Sequence, residues 1–207
     1  MKPQLSPGLG PVLTGLARRA VATSFDPGPP EPAVLVAATG SAGALAERQA
    51  TFVTLERDGR LRGCIGTLTA LRPLGVDVVR NARSAARDPR LPPVRPEEVA
   101  ALAVTVTVLS PAEPMAVRGF TALLDRLRPG VDGLTLRDRA GRRATFLPSV
   151  WANLSEPERF VAALLRKGRW PEVLWKGLLR SAAWPEDLVA ERYTATSFAD
   201  RPEALGG

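Results

Sequence analysis

An Asp-Gly pair, Asp58-Gly59, stands between two runs of β-forming residues, Phe52 to Leu55 and Leu61 to Leu68. No other stretch constrains the chain as much. Glycine accepts the positive φ that a two-residue turn requires, so the pattern predicts a β-hairpin. The second arm holds the only cysteine, Cys64, between Gly63 and Gly66 and two residues after Arg62. Glycines this dense weaken a strand, and they mark a bulge or a place where something approaches the backbone closely. The candidate site is therefore placed here. Cys64 would be a nucleophilic or ligand-holding thiol, and Gly63 and Gly66 would open the backbone to a ligand. Arg62 would favour the thiolate or hold an anionic ligand through its planar fork. Period-two alternation puts Arg62, Cys64 and Gly66 on one face and Leu61, Gly63 and Ile65 on the other. The competing expectation is that free cysteine packs as a small buried hydrophobe. Four acidic residues could partner Arg62, namely Glu56, Asp58, Asp88 and Glu97, and the sequence does not order them.

Around the hairpin the chain alternates helical and extended patterns. Leu9, Val12, Leu13, Leu16, Ala17 and Ala20 recur at helical spacing and predict an opening amphipathic helix. The Pro-rich stretch Asp26 to Pro32 ends it. Ala33 to Thr39 is apolar and partly β-branched and reads as a short strand, and Gly40 to Ala50 as a turn of helix. Leu74, Val78, Ala82 and Ala85 form an apolar helical face beginning at Pro73. Pro96-Glu97-Glu98 reads as the acidic first turn of a short helix. Leu102 to Leu109 alternates Val with Thr and is the clearest strand. Helices are expected at Phe120 to Leu127 and Glu156 to Lys167, and a second hairpin at Gly133 to Arg137 and Arg142 to Leu147. A short helix is expected within Gly168 to Ala183, and a final strand at Val189 to Phe198. The tryptophans Trp151, Trp170, Trp175 and Trp184 could stack on a ligand or a partner, but their near-helical spacing favours core. The class is α+β: a mixed, largely antiparallel sheet with hairpins flanked by helices.

The totals exclude more than they assign. The chain has no histidine, so it has no Cys-His pair, no Ser-His-Asp triad and no His-ligated metal. No metal or other cofactor is implied. No apolar run reaches the roughly 18 residues of a membrane span. The segment MKPQLSPGLGPV lacks the apolar core of a signal peptide, and a single cysteine suits a reducing compartment, so the cytoplasm is expected. The net charge is +7, but of the 28 cations only Lys2, Lys167 and Lys176 are lysines, which leaves 25 arginines spread along the whole chain. That dispersal disfavours a nucleic-acid patch.

The block Arg62-Gly63-Cys64-Ile65-Gly66, following the FVTL strand and the Asp-Gly turn, is similar to the signature of the AMME chromosomal region (AMMECR-type) domain family. Bacterial members of that family are called AmmeMemoRadiSam system protein A. Further blocks occur in order: DPRLPPV (Asp88 to Val94), VLSPAEP (Val108 to Pro114), RPGVDGLTL (Arg128 to Leu136), RRATFLPSVW (Arg142 to Trp151) and ERYTATSF (Glu191 to Phe198). The resemblance implies one domain over residues 9–198, sometimes described as a larger and a smaller lobe, with residues 1–8 and 199–207 as flexible termini. It implies work with a Memo-type protein and a radical SAM protein on a small molecule that it does not identify, and it leaves the oligomeric state unspecified. Relative to the family pattern, histidine is common where Glu56 stands, acidic side chains are common at the positions of Ala103 and Thr105, and the region from Lys167 to Trp184 is longer here. Three readings follow: a small-molecule-handling or accessory enzyme beside Cys64, a non-catalytic adaptor, and a basic RNA-binding module.

Overall fold

The computed structural model describes residues 8–200 and divides the chain into two compact units. The first runs to Ser110 and resumes at Thr196; the second is Pro111–Ala195. Each has its own four-stranded antiparallel sheet and its own apolar core.

In the first unit, α1 (Leu9–Ala22) and a 3-10 turn lead through the Pro-rich loop into α2 (Pro32–Ala37). The predicted strand at Ala33 to Thr39 is thus a helix. Pro32 sits at its start, where a missing N–H does no harm, and Leu35 is buried. Residues 40–49 form turns and an isolated bridge, not the expected helical turn. The hairpin follows as β1 (Ala50–Arg57) and β2 (Arg60–Gly66). Asp58 and Gly59 both take positive φ, 51° and 71°, as the tight turn demands. Next come α3 (Leu74–Ala85), a 3-10 helix (Pro96–Ala101) and β3 (Ala103–Leu109). The strand order is β2-β1-β3-β8, with β8 (Ala195–Asp200) on the far edge.

The Val/Thr alternation of β3 does what it predicts. Val104, Val106 and Val108 are buried, and Ala103, Thr105 and Thr107 are not. The valines join Val53 and Leu55 of β1 beneath α1 and α3, whose Leu13, Leu16, Ala17, Leu74, Val78 and Ala82 complete one apolar cluster. A buried carboxylate locks α3 to the sheet. Asp77 accepts the Thr51 N–H (3.0 Å), the hydroxyls of Thr51 (2.8 Å) and Thr67 (2.7 Å), the Asn81 amide (2.9 Å) and a fork from Arg72 (3.0 and 2.7 Å).

The second unit contains β4 (Glu113–Pro114), α4 (Phe120–Arg126), β5 (Gly133–Arg137), β6 (Arg143–Phe146), α5 (Pro157–Lys167) and β7 (Val189–Tyr193), with strand order β4-β7-β5-β6. Its core packs Leu134, Leu136 and Ala190 of the sheet with Phe120, Leu123, Phe160, Leu164 and the buried Trp151 and Trp170. Trp151 stacks on Phe160 at 3.8 Å and donates its N–H to the Asp132 carbonyl at 2.7 Å. Trp175 and Trp184 lie half-buried against the same core, so the tryptophans serve packing. The segment from 168 to 183 forms two three-residue 3-10 helices, Glu172–Leu174 and Leu179–Ser181, in place of one short helix.

The predicted final strand, Val189 to Phe198, is two strands. β7 pairs with β5 and β4, whereas β8 belongs to the first unit's sheet. Of the termini expected to be flexible, Gly8 caps α1 and Ala199 and Asp200 lie in β8, where Asp200 accepts a fork from Arg18 (3.0 and 2.8 Å). Residues 1–7 and 201–207 lie outside the described residues.

Candidate functional site

Cys64 stands on the edge strand β2 opposite Thr54 of β1, which in turn faces Thr105 of β3. All three are half-buried, on the sheet face opposite α1 and α3. The Thr54 hydroxyl donates to the Cys64 sulfur at 3.3 Å. One row along, Thr107 shares a 2.8 Å hydrogen bond with Ser197 of β8. This face of the sheet presents a thiol and small hydroxyls where the other presents Val and Leu.

The alternation predicted for β2 fails at one residue. The register with β1 passes from Leu55↔Gly63 to Glu56↔Leu61, so Arg62 is the extra residue of a bulge. A bulge re-aims a side chain, and Arg62 turns away from the thiol. Its Nε and Nη2 bond the two oxygens of Glu98 (3.2 and 2.9 Å), and Nη1 and Nη2 bond the carbonyls of Pro92 (3.4 Å) and Pro93 (3.2 Å). The acidic partner of Arg62 is therefore none of the four that its sequence neighbourhood offers. Glu98 is buried, and it also takes the Arg95 N–H (2.9 Å) and Arg57 (3.3 Å). The Arg62 fork, with the Arg95 N–H and Arg57, holds its carboxyl down at about 2 despite burial.

The cation beside Cys64 is Arg90, from the DPR block. Since Cys64 is on a sheet edge, its N–H and C=O point outward, and the Asp88–Arg90 pair takes the place of a neighbouring strand. The Cys64 N–H donates to Asp88 Oδ2 at 3.0 Å, and Arg90 Nη2 donates to the Cys64 carbonyl at 2.8 Å. Arg90 also forks onto Asp88 at 2.9 and 2.6 Å. These bonds, the Arg90 fork first and the Cys64 N–H second, hold the Asp88 carboxyl well below the usual carboxylate range. The hydrogen-bonded Asp88 carboxylate, and secondarily the nearby Cys64 sulfur, push the Arg90 guanidinium further up. The sequence signal for Arg90 was its place in DPRLPPV, but nothing local ties that loop to β2.

Gly63 and Gly66 prove to be close approaches, made by the chain to itself. A Cβ on Gly63 would sit 1.9 Å from the Ala85 carbonyl at the end of α3, and one on Gly66 would sit 2.2 Å from the Phe52 ring. The space that a Cβ would take at these glycines is filled by the protein itself.

A chain built of two antiparallel four-stranded sheets with flanking helices is an α+β protein, and comparison with known proteins narrows the class. The AMMECR1 family model matches residues 14–198, and the chain belongs to that family. A crystal structure of the uncharacterized protein PH0010 from Pyrococcus horikoshii superposes with a TM-score of 0.80 at 29% identity, covering 96% of this chain and 95% of that one. A protein of Thermofilum pendens is 31% identical over 84% of each chain. A Methanothermobacter thermautotrophicus protein is 45% identical over 50% of this chain and 54% of its own length, so that match spans about half of the relative. Among the described residues no helix is long and apolar enough to cross a membrane.

Proposed function

We propose that this AMMECR1-family protein handles a small molecule on the sheet face beside Cys64, with the Cys64 sulfur as its reactive or holding group. The observation that carries the reading is the half-buried Cys64, whose sulfur accepts a hydrogen bond from Thr54 and whose backbone carbonyl is held by the Arg90 guanidinium. No histidine exists to take the thiol proton, and the nearby carboxylates Asp88 and Glu98 are tied to arginines. In a covalent step the proton leaves to solvent, a sulfur–carbon bond forms, and the leaving group departs with its electron pair. The family resemblance supports an accessory role beside a Memo-type and a radical SAM protein.

Iodoacetamide tests the reading, with intact mass following loss of the thiol in folded and urea-unfolded protein. Modification of folded protein within about tenfold of the unfolded rate is expected for an available sulfur. No modification until unfolding would make Cys64 structural and overturn the reading. A second reading, a docking surface for another protein, is favoured by Val173 and Leu178, which are 80% and 74% exposed. It predicts that Val173→Ser with Leu178→Ser abolishes co-purification with the Memo-type protein, whereas Cys64→Ala does not.

A further inference from the structure

Resting on the Cys64 reading, we propose that the ligand of this site carries an anionic group, a carboxylate or a phosphate, and that Arg90 is the residue that selects it. The argument begins with the direction of the Asp88–Arg90 pair. The Asp88 side chain is fully buried whereas that of Arg90 is 65% exposed, so the pair presents its positive end to solvent. Two hydrogen bonds to Asp88 and one to the Cys64 carbonyl fix the guanidinium plane. A long side chain normally loses rotamer freedom on gripping a ligand, and here that ordering is already complete. Nη1 takes no protein acceptor among the described residues, so donors remain for an oxyanion.

The surroundings suit the same chemistry. Of the arginines of β2 itself, Arg62 is committed to Glu98 and to two carbonyls, and Arg60 stands at the turn end of the strand, opposite Arg57. Arg90 is the arginine bonded to Cys64 itself, so it is the one placed to read charge there. Across the strands from Cys64 stand Thr54, whose hydroxyl donates to the sulfur, and next to it Thr105, a second hydroxyl on the same face. Hydroxyls and a fixed planar cation are the donors that carboxylates and phosphates take up. The one acidic group on the same run of β1, Glu56, stands one residue beyond the bulge, opposite Leu61.

Two alkylating reagents that differ only in charge test this. In both iodoacetate and iodoacetamide the sulfur bonds the CH2 carbon and iodide leaves to solvent, so the ratio of their rates cancels accessibility and thiolate content. The folded protein is expected to show an iodoacetate-to-iodoacetamide ratio at least about threefold above that of free cysteine in the same buffer, decaying with added salt. Inorganic phosphate should slow iodoacetamide in the folded protein if the bound group is a phosphate, and acetate should do so if it is a carboxylate. Arg90→Met should bring the ratio down to that of free cysteine or below. The double variant Asp88→Asn/Arg90→Met removes both charges without leaving a bare carboxylate and should match free cysteine. Arg90→Lys should retain part of the preference. A ratio no higher than that of free cysteine, or one unchanged in the double variant, overturns the inference and leaves the Cys64 reading standing. If iodoacetamide itself fails to modify folded protein, both fall.

Discussion

Replacing Gly63 by alanine separates a packing glycine from a ligand-approach glycine. The added Cβ would meet the Ala85 carbonyl oxygen at 1.9 Å and its carbon at 2.8 Å, whereas real Cβ contacts essentially never fall below 3.0 Å. The obstruction is helix backbone, so no side-chain rotation relieves it, and the end of α3 must move by more than an ångström. That end is fixed by Val78, Ala82 and Ala85 in the core and by Asp88 on the Cys64 N–H. Overpacking of this kind costs about 1–3 kcal/mol or more, and a rigid backbone obstacle puts it at the upper end. With a urea slope of about 2 kcal/mol/M, a loss of 2–3 kcal/mol lowers the midpoint by about 1–1.5 M. The readout must belong to the first unit. All four tryptophans lie between Trp151 and Trp184, in the second unit, so their fluorescence does not serve. Cys64 reactivity toward a chromogenic thiol reagent during urea unfolding, together with far-UV circular dichroism, does. Gly15→Ala is the control. Gly15 is exposed inside α1 with open space at its Cβ position, so alanine should stabilise by about 0.5–1 kcal/mol. If Gly63→Ala moves the midpoint by less than about 0.3 M, the close approach of α3 to β2 is wrong, and the ligand-approach reading of Gly63 returns.

Three further outcomes are expected. Glu98 is held at about 2 in the folded protein, below its ordinary value of 4.5, so its stabilising contribution is complete above pH 4.5 and is lost as pH falls toward 2. Glu98→Gln should therefore lower the urea midpoint at pH 7 and shrink the gap to wild type at pH 3; a gap that does not depend on pH would refute the assignment. The protein has a single tyrosine, Tyr193, whose buried hydroxyl donates to the Phe146 carbonyl (3.0 Å) and bonds Thr145 (2.8 Å); burial pushes it up to about 12. Absorbance near 295 nm should thus show no tyrosinate until about pH 12 while the fold persists, and titration near 10 would contradict it. Asp77→Ala strands Arg72, Asn81 and Thr51 in or beside the core and should cost about 3–5 kcal/mol. Urea unfolding measures it, and a loss under 1 kcal/mol would mean that the network is dispensable.

The particular elements show how far local pattern reaches. The Asp-Gly turn, the Val/Thr strand and the helices at 9–22, 74–85 and 157–167 were legible, because turn chemistry and side-chain periodicity are written within a few residues. The Pro-started stretch at Ala33 was misread because six apolar residues suit a buried helix as well as a strand. The run Val189 to Phe198 looked continuous because a chain leaving one sheet for another stays extended, and pairing partners leave no mark on local sequence.

The candidate site divides in the same way. The sequence by itself determined that the chain carries one thiol, that no histidine can assist it, and that its strand carries glycines in contact with something. Only the tertiary structure decided what that something is: the Ala85 carbonyl and the Phe52 ring. It also decided which arginine bonds Cys64. Arg62, two positions away in the chain, sits at a one-residue bulge and pairs with Glu98, while Arg90, 26 positions away, bonds the Cys64 carbonyl. Charge partners are chosen by distance in space and by how deeply each carboxylate is buried, and a sequence records neither.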